Sequence, residues 1–412
     1  MLADFDEIAR YGRHNGHPRM FGYVQSSGSF AGVIGDLLAS AINQNVTSWR
    51  SAPAATTIEH QVIEWLKMWV GFDPSGAGIL LSGGSFANFA GLATALRAST
   101  DIDLNQRGVT ALPGRPRIYA SQMTHMSMPK SASMLGLGKD AIVRIPVDEH
   151  FRMRPDALRE QIAADRAAGF HPVCAVATAG DVNTGAIDPL DAIADVCQAA
   201  ALWLHIDGSY GALAARSPDV DGAMAGLRRA DSLSLDPHKW LYAPLDVGCL
   251  LVRNAASLRR AFSEGAGYID VVADREMSDF AYWDYSPELS RRFRALKIWF
   301  LLKIHGARAI QAAIDDNIAV ARHLARLVDD SDDFERVAPA PLSIVCLRWR
   351  RGDDAFNRAL MVEMQRDGES YVSNAIIDGR FALRACIVNF RTRPEDMERL
   401  LDSIRRVASR MT

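Results

Sequence analysis

The stretch DSLSLDPHKWLYAPLDVG, residues 231–248, decides how this chain is read. Leu233 and Leu235 alternate with small polar residues, as in a short buried strand. Pro237 removes an amide donor and biases the residue before it away from helix, so the strand should end in a turn. A turn at a strand end is where α/β proteins place chemistry. Lys239 lies in that turn, and Trp240, Leu241 and Tyr242 follow it, in a position to shield its amine from water. A partly desolvated amine releases its proton more readily and becomes a nucleophile for carbonyl carbon. The same residues also read as a surface lysine beside a snorkelling aromatic.

Upstream, the apolar run Leu202–Ile206 ends in Asp207, followed by Gly208, Ser209, Tyr210 and Gly211. A carboxylate at the end of a buried strand needs a cationic partner. The protonated pyridine nitrogen of pyridoxal phosphate is such a partner. Asp207 and Lys239 are 32 residues apart (239 − 207 = 32), room for one intervening segment and a return strand. Two neighbouring strands could then hold the two ends of one cofactor.

The pair of motifs, His205-Ile206-Asp207-Gly208-Ser209-Tyr210 and Asp236-Pro237-His238-Lys239-Trp240, resembles the group II pyridoxal-phosphate decarboxylases. That family includes the aromatic-L-amino-acid, histidine and glutamate decarboxylases, and the likeness runs from about His17 to near the C-terminus. The resemblance implies the type I, aspartate aminotransferase-like α/β fold: a mostly parallel central sheet plus a small C-terminal α/β domain. It implies an obligate homodimer with shared active sites and decarboxylation of an L-amino acid, preferentially aromatic, to the amine and carbon dioxide. Carried over residue by residue, Lys239 holds the cofactor covalently, Asp207 keeps the ring nitrogen protonated, and His125 stacks on the ring. Gly84 and Ser85 hold the phosphate, Thr178 meets the ring or the substrate carboxylate, and Ser209 and His238 complete the cofactor site. Tyr23 and Arg291 border the substrate pocket. Tyr268 reaches the partner's site and returns a proton to the substrate carbon. Asp236 stands where aromatic-amino-acid decarboxylases often carry Asn near the phosphate. A carboxylate there either repels phosphate or caps backbone amides. The longer N-terminal helical extension usual in the family is missing or shortened, which would alter the dimer clasp.

The rest of the chain fits an enzyme of ordinary composition. Hydrophobic residues make up 49% and charged residues 23% of the 412, and the net charge of −3 leaves no basic surplus for nucleic acid. No apolar run reaches membrane-spanning length, and the N-terminus lacks a signal-peptide core. The five cysteines are scattered without paired spacing, so they read as buried thiols in a reducing compartment, neither disulfides nor metal ligands. Cytoplasmic is the expected location.

Strand–helix alternation predicts a parallel sheet covered on both faces. The expected division is an N-terminal dimer-interface segment over 1–55, a large cofactor-binding domain over 56–305 and a small C-terminal domain over 306–412. Thr56 and Glu59 have capping-box spacing at a helix start. Asp188-Pro189 reads as another helix cap. Ile79–Leu81, a short strand, leads through Ser82-Gly83-Gly84-Ser85 into a helix, an arrangement suited to phosphate as well as to a plain turn. Residues 247–252 read as a strand that could run antiparallel, and 261–287 as an active-site loop containing Tyr268. Arg384 is a weaker candidate for carboxylate recognition or a structural ion pair.

Three rival functions remain at this point. Gly83-Gly84-Ser85-Phe86-Ala87 nearly matches a hydrolase nucleophile elbow, with Ser85, Asp207 and His238 in the right chain order. Some relatives in the resembled family are oxygen-using aldehyde synthases. A cofactor-binding scaffold without turnover is the third.

Overall fold

The computed structural model describes residues 1–263 and 280–411. Strand β1 (Met20–Phe21) precedes seven strands that form the central sheet: β2 (Ala77–Leu81), β3 (Pro116–Ser121), β4 (Ile142–Ile145), β5 (His171–Thr178), β6 (Trp203–Asp207), β7 (Ser232–Leu235) and β8 (Gly248–Val252). Their order is β2-β8-β7-β6-β5-β3-β4. Strands β3 to β7 pair in parallel, and β8 runs antiparallel to both its neighbours. Residues 173–177 of β5 form an unbroken buried run, as expected for a parallel strand with both faces covered. The register sets Thr178 beside Asp207 and Asp207 beside Ser234, so three neighbouring strands end at one level.

Before residue 100 the chain forms four helices: α1 (Leu2–Arg10), α2 (Phe30–Ile42), α3 (Pro53–Val70) and α4 (Gly84–Ala98). Helix α3 begins at Pro53, whose missing amide suits a first turn, so Thr56 and Glu59 are interior residues and form no capping box. Glu59 instead pairs with Arg291. The guanidinium lies 2.6 Å from Glu59 Oε1 and donates to Val46 O (3.0 Å) and Leu80 O (2.7 Å). It also lies over the Tyr282 ring at 4.0 Å. Both side chains are fully enclosed. Arg291, expected at the substrate pocket, spends its charge here in fixing β2, whose Leu80 amide also donates to Glu59 Oε1 at 3.1 Å. Asp188 does not cap the helix after it either. Its carboxylate accepts the Met153 amide (2.7 Å) and the Thr178 amide (2.8 Å), clamping the end of β5. Burial pushes its pKa up to about 7 against those two hydrogen bonds.

A second sheet of five strands, in the order β1-β11-β12-β10-β9, uses β9 (Phe334–Arg336), β10 (Ile344–Trp349), β11 (Tyr371–Ile377) and β12 (Arg380–Cys386). Asp378 and Gly379 join β11 to β12 with φ of 48° and 77°, the left-handed pair a tight hairpin requires. The N-terminal segment is not separate from this unit, because β1 lies parallel to β11 with Met20 opposite Tyr371. The helical run Ala295–Asp329 breaks at Gly306 (φ 76°) on its way to the second sheet. All five cysteines are buried and free. Among the described residues, no helix is long and apolar enough to cross a membrane.

Candidate active site

The C-terminal ends of β5, β6 and β7 open onto a cavity of about 540 Å³ lined by Thr178, Asp207, Ser209, Asp236, His238 and Lys239. The start of α4 closes its other side with Gly83, Gly84 and Ser85, and His125 and Ser127 form part of the wall. A larger hollow, about 990 Å³, lies at the opposite strand ends around Arg166, Arg228 and Arg229, and has no comparable assembly.

Asp207 is buried yet ionised. Burial alone would raise its pKa, but the hydrogen bond from Ser209 and the charge of Lys239 carry it below the usual value. Its Oδ1 accepts the Ser209 amide and the Ser234 hydroxyl, both at 3.1 Å, and its Oδ2 accepts Asn88 Nδ2 at 3.0 Å. Lys239 sits in the short Pro237–Trp240 helix, where its Nζ pairs with Asp236 Oδ2 at 2.9 Å. The aromatic residues beside it anchor the turn and do not cover the amine. Trp240 and Tyr242 both donate to Asn317 Oδ1, at 3.1 and 2.9 Å, while the Lys239 side chain remains 22% exposed.

The turn before α4 is shaped for close approach. Gly83 has φ 151°. A Cβ on Gly84 would stand 2.4 Å from Ser209 Oγ and 2.6 Å from Asp236 Oδ2, so any side chain would fill the space between them. Asp236 makes no side-chain cap hydrogen bond, and its buried Oδ1 has no partner. The cap option for this residue is therefore set aside in favour of the pair with Lys239. Thr178 contributes a buried hydroxyl without a partner at the cavity wall.

His125 has Nδ1 within 2.9 Å of Ser127 Oγ, and that nitrogen accepts the Ser127 amide at 3.2 Å. Burial lowers its pKa first, with Asp207 opposing and Lys239 adding to the effect. The ring is therefore neutral.

Other expected residues lie elsewhere. Tyr23 is outside this cavity, with its ring 6.1 Å from that of Tyr371 and its hydroxyl accepting from Arg13 at 2.9 Å. Arg384 donates to Val182 O at 2.6 Å and to Ser373 Oγ at 3.1 Å, linking the second sheet to the cavity rim. Tyr268 and most of the 261–287 loop lie outside the described residues. The hydrolase triad is not assembled: His238 Nδ1 is 2.6 Å from Val247 O, and Asp207 is engaged by Asn88, Ser209 and Ser234.

The residues present fit pyridoxal phosphate. Asp207 offers an anion to a ring nitrogen, the Gly84 cradle admits a phosphate, and Lys239 offers an amine to an aldehyde. Comparison with known proteins agrees. The family described as pyridoxal-dependent decarboxylase conserved domain matches residues 1–350. An aromatic-L-amino-acid decarboxylase from Bacillus atrophaeus is 36% identical over 97% of this chain and 83% of its own length. Tryptophan decarboxylase 1 of Oryza sativa subsp. japonica is 32% identical over 91% of this chain and 77% of its own. The crystal structure of Oryza sativa TDC with PLP and tryptamine superposes with a TM-score of 0.91 at 29% identity, covering 100% of this chain and 88% of that one.

Proposed function

Because this chain belongs to the pyridoxal-dependent decarboxylase family, we propose that it releases carbon dioxide from an aromatic L-amino acid and leaves the amine. Pyridoxal phosphate is the cofactor. When bound, it supplies an aldehyde carbon for amines and a ring that accepts electrons. The observation that carries the reading is the convergence of Lys239, Asp207 and the Gly84 cradle on one cavity from three separate elements.

In this reading the Lys239 amine would hold the cofactor through its aldehyde carbon. Asp207, held ionised by its donors, keeps a proton on the ring nitrogen. Neutral His125, on the cavity wall, would meet the ring. Gly84, Ser85, Ser209 and His238 enclose the phosphate, and Thr178 meets the ring or the substrate carboxylate. Return of a proton to the substrate carbon is assigned to Tyr268 on the family pattern. Incubating the loaded protein with L-amino acids, aromatic and acidic, should give carbon dioxide and amine in equal amounts, fastest with an aromatic substrate. Aldehyde with hydrogen peroxide would mark an oxidative enzyme instead, and no carbon dioxide from any substrate would end the decarboxylase reading.

Asp236 faces the same cradle, so its carboxylate would stand close to the phosphate. Asp236→Asn should tighten cofactor binding about tenfold by removing that repulsion. Fluorescence titration of the cofactor-free protein measures this, and weaker binding by the variant would contradict it.

A homodimer is supported by an apolar face. Helix α2 exposes Phe30, Leu37 and Ile42, each more than half open, and Ile304 lies nearby with similar exposure. Between α2 and the 295–329 helix lies an apolar hollow of about 430 Å³ lined by Phe30, Ile34, Leu301 and Ile304. Helix α1 buries none of its residues and exposes Leu2, Phe5 and Ile8. Exposed apolar surface of this kind suits a second copy of the chain. Leu37→Asp should therefore shift the protein to monomers in sedimentation velocity, and a variant sedimenting like the parent would refute the assignment. The buried free thiols support a reducing, cytoplasmic setting.

A further inference from the structure

Asn88 lies in the apolar interior of α4, where an amide is unexpected, and its environment dictates the position of every hydrogen around it. A carboxylate only accepts, so Asn88 turns its NH₂ to Asp207 Oδ2 at 3.0 Å. Its carbonyl oxygen then faces His205 Nε2, 3.0 Å away. That oxygen also only accepts, so His205 carries its hydrogen on Nε2. On the far side of His205, the Ser232 hydroxyl receives the Trp203 indole N–H at 2.9 Å and gives its own hydrogen to His205 Nδ1 at 2.8 Å. Burial pushes the His205 pKa down to about 4, against the opposing charge of Asp207, so the ring is neutral and the assignment closes.

The second branch runs toward the cavity. The other N–H of Asn88 reaches Ser127 Oγ at 3.1 Å, leaving the Ser127 hydrogen for His125 Nδ1. That nitrogen already accepts the Ser127 amide, so neutral His125 holds its hydrogen on Nε2. Around His125 the charged neighbours are Asp207, Lys239 and Asp236. Of about four acceptor positions on Asp207, three are filled, and the vacant one is on Oδ2. Helix α4 is fitted to this arrangement: a Cβ on Gly91 would lie 2.6 Å from His205 Cε1.

We infer that Asn88 is a positioning residue for the reaction, and His205 its support. A single amide orients Asp207 so that one acceptor position stays available to the ring nitrogen, and it holds the Ser127 hydroxyl behind His125 Nδ1. The inference rests on the function proposed above.

Protein selectively labelled with ¹⁵N-histidine tests it, cofactor-free and loaded, by long-range ¹H–¹⁵N correlation. At neutral pH both His125 and His205 should show a bare Nδ1 and a protonated Nε2. In Asn88→Leu, His125 should keep its Nε2–H tautomer, held by the Ser127 amide, while the His205 Nε2–H signal should shift. Cofactor affinity should fall about tenfold and kcat about a hundredfold, with KM little changed, as for loss of an outer-shell partner. His205→Gln, which keeps an N–H for Asn88, should retain the parent's kcat, whereas His205→Leu should lose it. A hydrogen on Nδ1 of His205 in the parent would overturn the inference, as would equal losses in the two His205 variants. Should Asn88→Leu fail to fold, the parent spectrum and the His205 pair still decide. A protein that takes up no cofactor would instead refute the proposed function, while the tautomers of the cofactor-free chain still test Asn88.

Discussion

Lys239→Ala is expected to lower turnover by at least about 10⁴-fold, because nothing else on the cavity wall replaces an amine at that place. Borohydride reduction followed by peptide mapping is the direct measurement. The parent should give a pyridoxyl adduct on the peptide carrying Lys239, and the variant none. Lys130 also lines the cavity and provides the internal control. An adduct on Lys130 in the parent would remove the basis of the proposed function. The variant should fold, since the turn is held by Trp240 and Tyr242 through Asn317 and does not depend on the lysine. Removing Lys239 also leaves Asp236 without its 2.9 Å partner, so a modest loss of thermal stability is expected as well.

The second large effect concerns Asp207. Asp207→Asn should lower kcat about a thousandfold while the cofactor still binds, because a neutral amide cannot stabilise a proton on the ring nitrogen. The amide would also turn at least one oxygen-acceptor position into a donor facing Asn88 or Ser234. Absorbance of the loaded variant should report a changed protonation state of the ring, and an unchanged spectrum with unchanged kcat would refute the role. The pH dependence follows from the sign of the shift. The folded pKa of Asp207 is depressed, so its stabilising contribution is complete above the ordinary carboxylate value and is lost as pH falls through the lower folded value. An acid limb from Asp207 is therefore expected below the usual carboxylate range and not near neutrality.

The parts legible in the sequence were local. Asp207 and Lys239 each close a short apolar run, and a charged residue in that place announces itself within six or seven positions. The antiparallel β8 and the Gly83–Ser85 turn belong to the same class. What escaped was set by distant partners. Asn88 looks like an ordinary member of a small-residue helix until it meets Asp207, 119 positions away, and His205, 117 away. The available hint was a polar side chain amid buried alanines, four residues after Gly84 and three before Gly91. Glu59 fitted a cap by spacing alone, but Arg291, 232 positions on, competes with the backbone and wins through a charge-assisted bond. Trp240 and Tyr242 look like a cover for the amine in the sequence, which does not reveal Asn317 behind them.

The pairing of Met20 with Tyr371 ties together positions 351 residues apart (371 − 20 = 351). On a ribosome, the early partner must wait until nearly the whole polypeptide has emerged before that union can form. A fragment beginning after position 30 would expose the backbone of β11 along its outer rim, inviting self-association in place of the missing dipeptide. Expressing the carboxy-terminal lobe by itself should therefore yield a sticky product, curable by supplying the short leading segment in trans.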